Sequence, residues 1–332
     1  MSRPERIRRR GRGTVSAAWM AAAVLLSLTA AAPAAPKVPG TQCPAFPKNS
    51  WWNADVSKLP VHARSAQWMS NMQPGRNLHP DFGPSYGAQP APYGIPVTVV
   101  DRTHKRVRVT FDYASESDRV RYPLGKDTKV EGGQWKTGDR HTVVVNRDIC
   151  RLFETWATRK SGKKWFAGSG ATWKLTSNAL RPDGWTSADA AGLPVLPGLL
   201  RYREVKKRRI EHAIRFTTNV TDRRYLWPAR HHAGAVDDQA YPPMGARFRL
   251  KAAYPVDAGL RADTRAVLNA MKTYGLVLAD NGSPWYFQGE AHRRWPEGLL
   301  DELKQVPASA FEAVDASSLM IAPDSMKVRK QK

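Results

Sequence analysis

Between Val107 and Phe287 the chain alternates apolar and polar residues in short runs set only a few residues apart, and this spacing constrains the fold more than any other feature. Val107, Val109, Phe111 and Tyr113 alternate with Arg108, Thr110 and Asp112, the pattern of a half-buried strand. Further runs follow at 142–149, 151–157 and 171–176, with turn signals at Asn146-Arg147-Asp148 and Lys160-Ser161-Gly162. Ile210, His212, Ile214 and Phe216 alternate in the same way, which puts His212 on an apolar face, and 247–252 buries Phe248 and Leu250. Strands this short and close favour a mainly β protein, a sandwich or jelly roll with a few peripheral α-helices, over parallel βαβ units. An α+β arrangement is the second choice.

The helical pattern is strongest over 263–274, where Val267, Ala270, Met271 and Tyr274 share a face, Asp263 can cap the start and Gly275 can end the helix. A strand at 276–280 then meets Asn281-Gly282, a hairpin signal, with an aromatic return at 285–287. A last helix is expected over 296–305, and a basic helical turn or two over 201–209. From Trp51 to Gly94 no period is sustained, and ordered loops are expected there.

The first twelve residues hold six arginines and one glutamate, an apolar stretch runs from Ala17 to Ala32, and Ala32-Pro33-Ala34 offers a small-residue cleavage site. This order describes a secretory signal peptide over 1–34, followed by an extended lead-in at 35–50, one integrated β-rich domain at 51–315 and a basic flexible tail at 316–332. No later stretch is apolar enough to span a membrane once that segment is cleaved. The expected product is a secreted, extracellular monomer. In an oxidising compartment Cys43 and Cys150, the only two cysteines, most simply pair, although two free structural thiols are the alternative.

The formal charge is +23, and the 42% hydrophobic content excludes a disordered polycation. Signatures for a serine nucleophile elbow, a zinc-protease helix, a phosphate-binding loop, a dinucleotide fold and an EF-hand are missing. No metal or other cofactor is implied. Six of the twelve tryptophans, Trp51, Trp52, Trp185, Trp227, Trp285 and Trp295, sit in loop-like segments near Asp, Asn or His. An indole offers a flat apolar face to a sugar ring while neighbouring carboxylates and amides take its hydroxyls. Excess positive charge favours an acidic polymer. The expectation is therefore a carbohydrate-active protein, most simply an enzyme that cleaves an extracellular, acidic polysaccharide.

A glycosidase needs two carboxyls, for which Asp81, Glu131, Asp189, Glu211 and Asp280 are the candidates; a lyase needs a base such as His212 or a tyrosine and a cation on the uronate. Four clusters carry these groups: His79-Pro80-Asp81 with Tyr86; Asp183 to Asp189; Glu211-His212 with Arg230, His231 and His232; and Asp280-Asn281-Gly282-Ser283 with Trp285. Asp189, His212 and Asp280 are assigned to the reactive centre, with Trp185, His231, Asn281 and Trp285 holding substrate. The rival class is a lectin-like or cell-wall-associated binding protein adhering to anionic wall polymers, which needs aromatics and cations but no converging ionisable groups. Nucleic-acid binding through Lys206-Lys207-Arg208-Arg209 is disfavoured, because no recognised module accompanies that run.

The stretches WNADVSKLPVH, SADAAGLPVLPGLLRY, IEHAIRF, YLWPARHH, PPMGARFRLKAAYPV and LNAMKTYGLVLADNGSPWYFQG resemble those of a family of secreted bacterial proteins, mainly actinobacterial, with no established activity. The resemblance spans roughly residues 46–315. It implies export and a single integrated domain, and it supplies no catalytic assignment.

Overall fold

A strand buried at every position must be covered on both faces, and Thr142–Asn146 (β4, TVVVN) is buried along its whole length. Val143 and Val145 join the main core while Val144 joins a second, smaller cluster with Val100, Tyr122, Leu124, Phe153 and Trp165. The sheet containing β4 is thus a middle layer. Its order is β2 (Val97–Val100), β4, β5 (Arg151–Trp156), β8 (Ser169–Lys174), with β2 parallel to β4 and the other pairs antiparallel. A three-stranded sheet, β3 (Val109–Phe111), β7 (Lys164–Ala167), β6 (Arg159–Ser161), supplies Trp165 to the small cluster, with Val109 and Phe111 packed against it.

The third sheet has six strands in the order β1 (His79–Asp81), β12 (Tyr286–Gln288), β9 (Ile214–Thr218), β11 (Leu276–Asn281), β10 (Arg247–Leu250), β13 (Phe311–Val314). It mixes parallel pairs, β1 with β12 and β9 with β11, with antiparallel ones. The architecture is therefore α and β elements built on three mixed sheets, with more strand than helix. The computed structural model describes residues 1–2, 35–85, 92–133 and 138–329. Residues 3–34 of the expected signal peptide, Tyr86 and the last three residues of the tail lie outside them.

The segment Leu193–Leu200, with its two prolines, runs buried between the middle sheet and the six-stranded sheet. Glu154 of β5 accepts the N–H groups of Val195 and Leu196 at 3.0 and 2.8 Å. On the other side Gly198 lies so close to Trp52 and Arg215 that a Cβ there would meet them at 2.8 and 2.9 Å. That crowding explains why the residue is glycine.

Helices sit where the periodicity places them, and one arises where none was expected. Ala262–Thr273 (α3) buries Val267, Ala270 and Met271, and the chain leaves it through Gly275 at φ +72°. Glu297–Leu303 (α4) follows Pro296, and Tyr202–Lys206 (α2) is the short basic turn. Ser65–Asn71 (α1) forms within the stretch read as loops; Trp68 and Met69 anchor it in the core. No helix among the described residues is long and apolar enough to cross a membrane.

Asn281-Gly282 does not close a hairpin. β11 and β12 flank β9 on opposite sides instead of pairing with each other, because β9 fits between them and takes hydrogen bonds from both crossings: Gly282 N–H to Thr218 O and Trp285 N–H to Thr217 O, each at 3.0 Å. The disulfide joins Cys43 to Cys150. It pins the lead-in, whose Val38 and Phe46 are fully buried, against the middle sheet. Lys327–Arg329 continue in register with the domain, Val328 N–H donating to Asn49 O and Arg329 N–H to Leu319 O.

Candidate functional site

Pro80 lacks an N–H to donate, a defect an edge strand tolerates, and β1 borders only β12. Strand alternation turns His79 and Asp81 to one face, in register with Tyr286 and Gln288. His79 stacks on Tyr286 at 3.9 Å, and the Gln288 side chain hydrogen-bonds the Asp81 carboxyl. Burial pushes that carboxyl up to about 6, the nearby charge of Glu131 adds to the rise, and Gln288 and Arg215 offset only part of it.

Glu131 stands on the loop that enters β4, joined to His141 by one backbone hydrogen bond and one from the His141 backbone to its own carboxylate. Glu131 N–H donates to His141 O at 2.9 Å, and the His141 N–H returns to Glu131 Oε2 at 3.1 Å. His141 Nδ1 lies 2.8 Å from the same Oε2, and its Nε2 lies 3.0 Å from Ala188 O. Acceptors at both ring nitrogens call for a doubly protonated ring. Burial works against that charge, but the Glu131 carboxylate outweighs it and raises His141 to about 9. Burial likewise opposes ionisation of Glu131, and here the His141 charge and hydrogen bonds win, holding the carboxyl below its ordinary value. Gly138, at φ +73°, closes the turn against this carboxyl; a Cβ there would sit 3.3 Å from Glu131 Cγ and Cδ.

Asp81, Glu131 and Asp139 line one cleft of about 760 Å³, together with Tyr93, Lys129, His292, Arg293 and Arg294. Three carboxyls thus meet a basic border. Two of them, Asp81 and Glu131, are displaced in opposite directions from similar ordinary values, the condition that assigns an acid and an ionised partner to one site.

Behind the cleft lies a buried ion cluster. Arg215 of β9 donates Nε and Nη2 to Asp189 at 3.1 and 2.7 Å, and Asp280 of β11 stands 3.7 Å from the same guanidinium. The loop carrying Asp189 is set by Ser187, whose hydroxyl accepts the Asp189 N–H at 2.9 Å and donates to Leu193 O at 2.6 Å. Burial and the charge of Asp189 push the Asp280 carboxyl up to about 7 against the pull of Arg215. Glu154, wholly buried, is also raised to about 7, two backbone N–H groups offsetting part of its desolvation.

Of the residues assigned from sequence, the fold brings Asp189 and Asp280 together around Arg215. His212 belongs to another cluster, its ring nitrogens facing Ala213 O at 2.8 Å and Glu204 Oε2 at 3.0 Å, with Arg201 on the same glutamate. Trp285 is fully buried, its Nε1–H donating to Met72 O at 2.6 Å, so it presents no face to a sugar. Trp185 is partly exposed beneath the Arg181 guanidinium at 5.4 Å. His231 lies 2.9 Å from Ala190 O and 3.8 Å from Glu116. Asn281 is occupied by Thr221 and Ala233 O. None of these seven lines the cleft. Asp139, His141 and Arg215 escaped the sequence reading. The signal for Arg215 is a charge next to Ile214 and Phe216 in a strand whose other polar residues are uncharged threonines, and that for His141 its place directly before TVVVN.

His141 makes stability depend on pH. A folded-state value above the unfolded 6.5 stabilises the fold fully below pH 6.5, and that contribution is lost as pH rises through about 9. The loss amounts to about 3 kcal/mol. Urea midpoints taken from pH 6 to 9.5 are expected to fall across this window in the native protein and to flatten in His141→Gln. Parallel curves for the two proteins would remove His141 as the cause.

Among the described residues no three His, Cys, Asp or Glu side chains are grouped so as to hold a metal ion. Comparison of this chain with protein-family models, with curated proteins and with solved structures returns no match in any of the three.

Proposed function

We propose that this is a secreted glycoside hydrolase acting on an acidic polysaccharide in the cleft of Asp81, Glu131 and Asp139. The observation that carries the reading is the opposed displacement of two carboxyls sharing that cleft, Asp81 up to about 6 and Glu131 down. Asp81 keeps its proton in mildly acidic solution and hands it to the glycosidic oxygen as the bond to the anomeric carbon breaks. Glu131, kept ionised by the His141 imidazolium, stabilises the positive charge that develops on that carbon; water then adds its oxygen to the carbon and gives its proton back to the Asp81 carboxylate. Lys129, Arg293 and Arg294 on the border favour a substrate bearing carboxylates. Export is consistent with the disulfide.

The test is release of reducing ends from a panel of uronate-containing and neutral polysaccharides. Asp81→Asn is expected to lower kcat by roughly 10²–10⁴-fold. The native pH profile is expected to lose activity above about pH 6, as Asp81 gives up its proton, and to hold on the acid side to below the ordinary carboxylate range, where Glu131 takes one up. Full activity in Asp81→Asn would remove the assignment. Ultraviolet absorbance of an unsaturated uronate appearing with the new ends would replace hydrolysis by elimination, and retention on a polymer without cleavage would make the protein a binder.

A further inference from the structure

Two depressions lie side by side along α3, apart from the carboxylate cleft. One, of about 340 Å³, is walled by Tyr202, Lys206, Arg208, Arg261, Asp263 and Pro296, among others. The second, of about 430 Å³, is walled by Arg208, Arg209, Arg265, Asn269 and Tyr274 among others, and shares Arg208 and Ala262 with the first. Together they present five cations against one carboxylate, Asp263, which is already paired with Arg261 at 2.9 Å. Glu211 takes Arg209 at 3.0 Å. Among the described residues Lys206 and Arg208 have no ion-pair partner, and Arg265 is held by a backbone carbonyl, that of Ala258.

Arg208 stands where two depressions meet, in a conformation the side chain does not favour. The C-terminus of α2 closes with Arg208 N–H on Val205 O and Arg209 N–H on Glu204 O, both at 2.9 Å, which puts Arg208 at φ +55°. Glycine or asparagine occupies this turn position more cheaply than arginine. Helix termination therefore does not explain the residue; a guanidinium projecting into the groove does.

The groove also adjoins the cleft. Tyr202 walls the first depression, His292 walls the cleft, and their rings stack face to face at 4.0 Å and 11°, braced by Trp295 edge-on to Tyr202 at 5.6 Å. On the cleft side of this stack Lys129, Arg293 and Arg294 continue the run of positive charge, close enough to depress the His292 ring's affinity for a proton beyond the effect of its burial.

We infer that an acidic polysaccharide chain runs from the carboxylate cleft over the Tyr202–His292 stack into the basic groove, where Lys206, Arg208 and Arg265 bind its carboxylates at a distance from the bond to be cleaved. This rests on the reading of the cleft as a polysaccharide site. The half-buried stack joins the walls of the two depressions, and a polymer crossing it meets cations on both sides. Long chains should therefore bind better than short ones.

The test is equilibrium binding of the whole protein to polygalacturonate and to a galacturonic acid trimer over a range of salt concentrations, for the native chain, Arg208→Gly with Arg265→Gln, and Asp81→Asn. The native protein is expected to prefer the polymer and to weaken with salt. The double variant is expected to bind the polymer roughly 10–30-fold more weakly, with a salt dependence shallower by about one unit per cation removed. Its melting temperature should be unchanged or raised, since glycine relieves the turn. Asp81→Asn is expected to keep polymer binding. Equal affinity and salt dependence in the native and double-variant proteins would overturn the groove even if hydrolysis holds. Loss of binding in the double variant with no cleavage by the native protein would sink the hydrolase and leave the groove. Failure of the native protein to bind polygalacturonate, or tighter binding of single-stranded DNA with the same response to the double variant, would overturn the polysaccharide as occupant.

Discussion

Arg215→Met is expected to destabilise the domain by about 3–5 kcal/mol, because it leaves buried carboxylates without their cation. The Asp189 side chain has 0% exposure and Arg215 only 2%, and the pair shares two hydrogen bonds at 2.7 and 3.1 Å. Removing the guanidinium also takes from Asp280, already raised by burial, the larger of the two positive charges that oppose its protonation, leaving only that of His141. Urea denaturation at neutral pH reads the loss, and the companion variant Arg215→Met with Asp189→Leu is expected to recover much of it, since an apolar pair of similar size carries no desolvation cost. A single variant that unfolds within about 1 kcal/mol of the native protein would show that water already reaches the cluster. Acid should soften the single variant's defect by neutralising the stranded carboxylates.

Replacing Cys43 and Cys150 together by serine is the second large effect, a loss of about 2–5 kcal/mol. The bridge closes a loop spanning 107 residues, for which chain entropy sets an upper value near ~4.7 kcal/mol. Beyond entropy it fixes a lead-in that has no helix or strand of its own yet buries Val38, Cys43 and Phe46 completely, Phe46 meeting Trp173 of β8 edge-on at 6.3 Å. The same shift should follow reduction of the native protein with excess thiol. If neither treatment moves the urea midpoint, the lead-in is held by packing alone.

The carboxylate pair proposed for catalysis and the ion cluster behind it perform different physical tasks with the same residue types. Asp189 is matched bidentately by Arg215 and closed from solvent, so its charge serves the fold. Asp81 has no such bidentate cation among the described residues and opens on a cleft, so its charge state is adjustable in mildly acidic solution. Both belong to the set of five candidate carboxyls in the sequence, from which Asp189, and not Asp81, is assigned to the reactive centre. Nothing in composition or spacing separates them, because the difference lies in which neighbours three sheets bring up from distant parts of the chain.

Local pattern was sufficient wherever a segment's own side chains set its structure. The apolar stripe of α3, ended by Gly275, appears within one residue of its expected bounds, and the runs at β4, β5 and β8 form strands. The pairing of the only two cysteines followed from their number. Pattern failed where the outcome turned on what covers a face. Alternation in β9 correctly sets Ile214 and Phe216 opposite Arg215 and Thr217, but it assigns the polar side to water. The packed domain lays the 187–200 segment and the middle sheet over that side, so Arg215 is buried and must find Asp189 and Asp280. In the same way Asn281-Gly282 specifies a turn, while β9, inserted between the strands it connects, decides that the turn joins no hairpin. A residue's period along the chain is a local property, but its dielectric surroundings and counter-charge are supplied by segments outside its own element, as Asp189 and Asp280 are for Arg215.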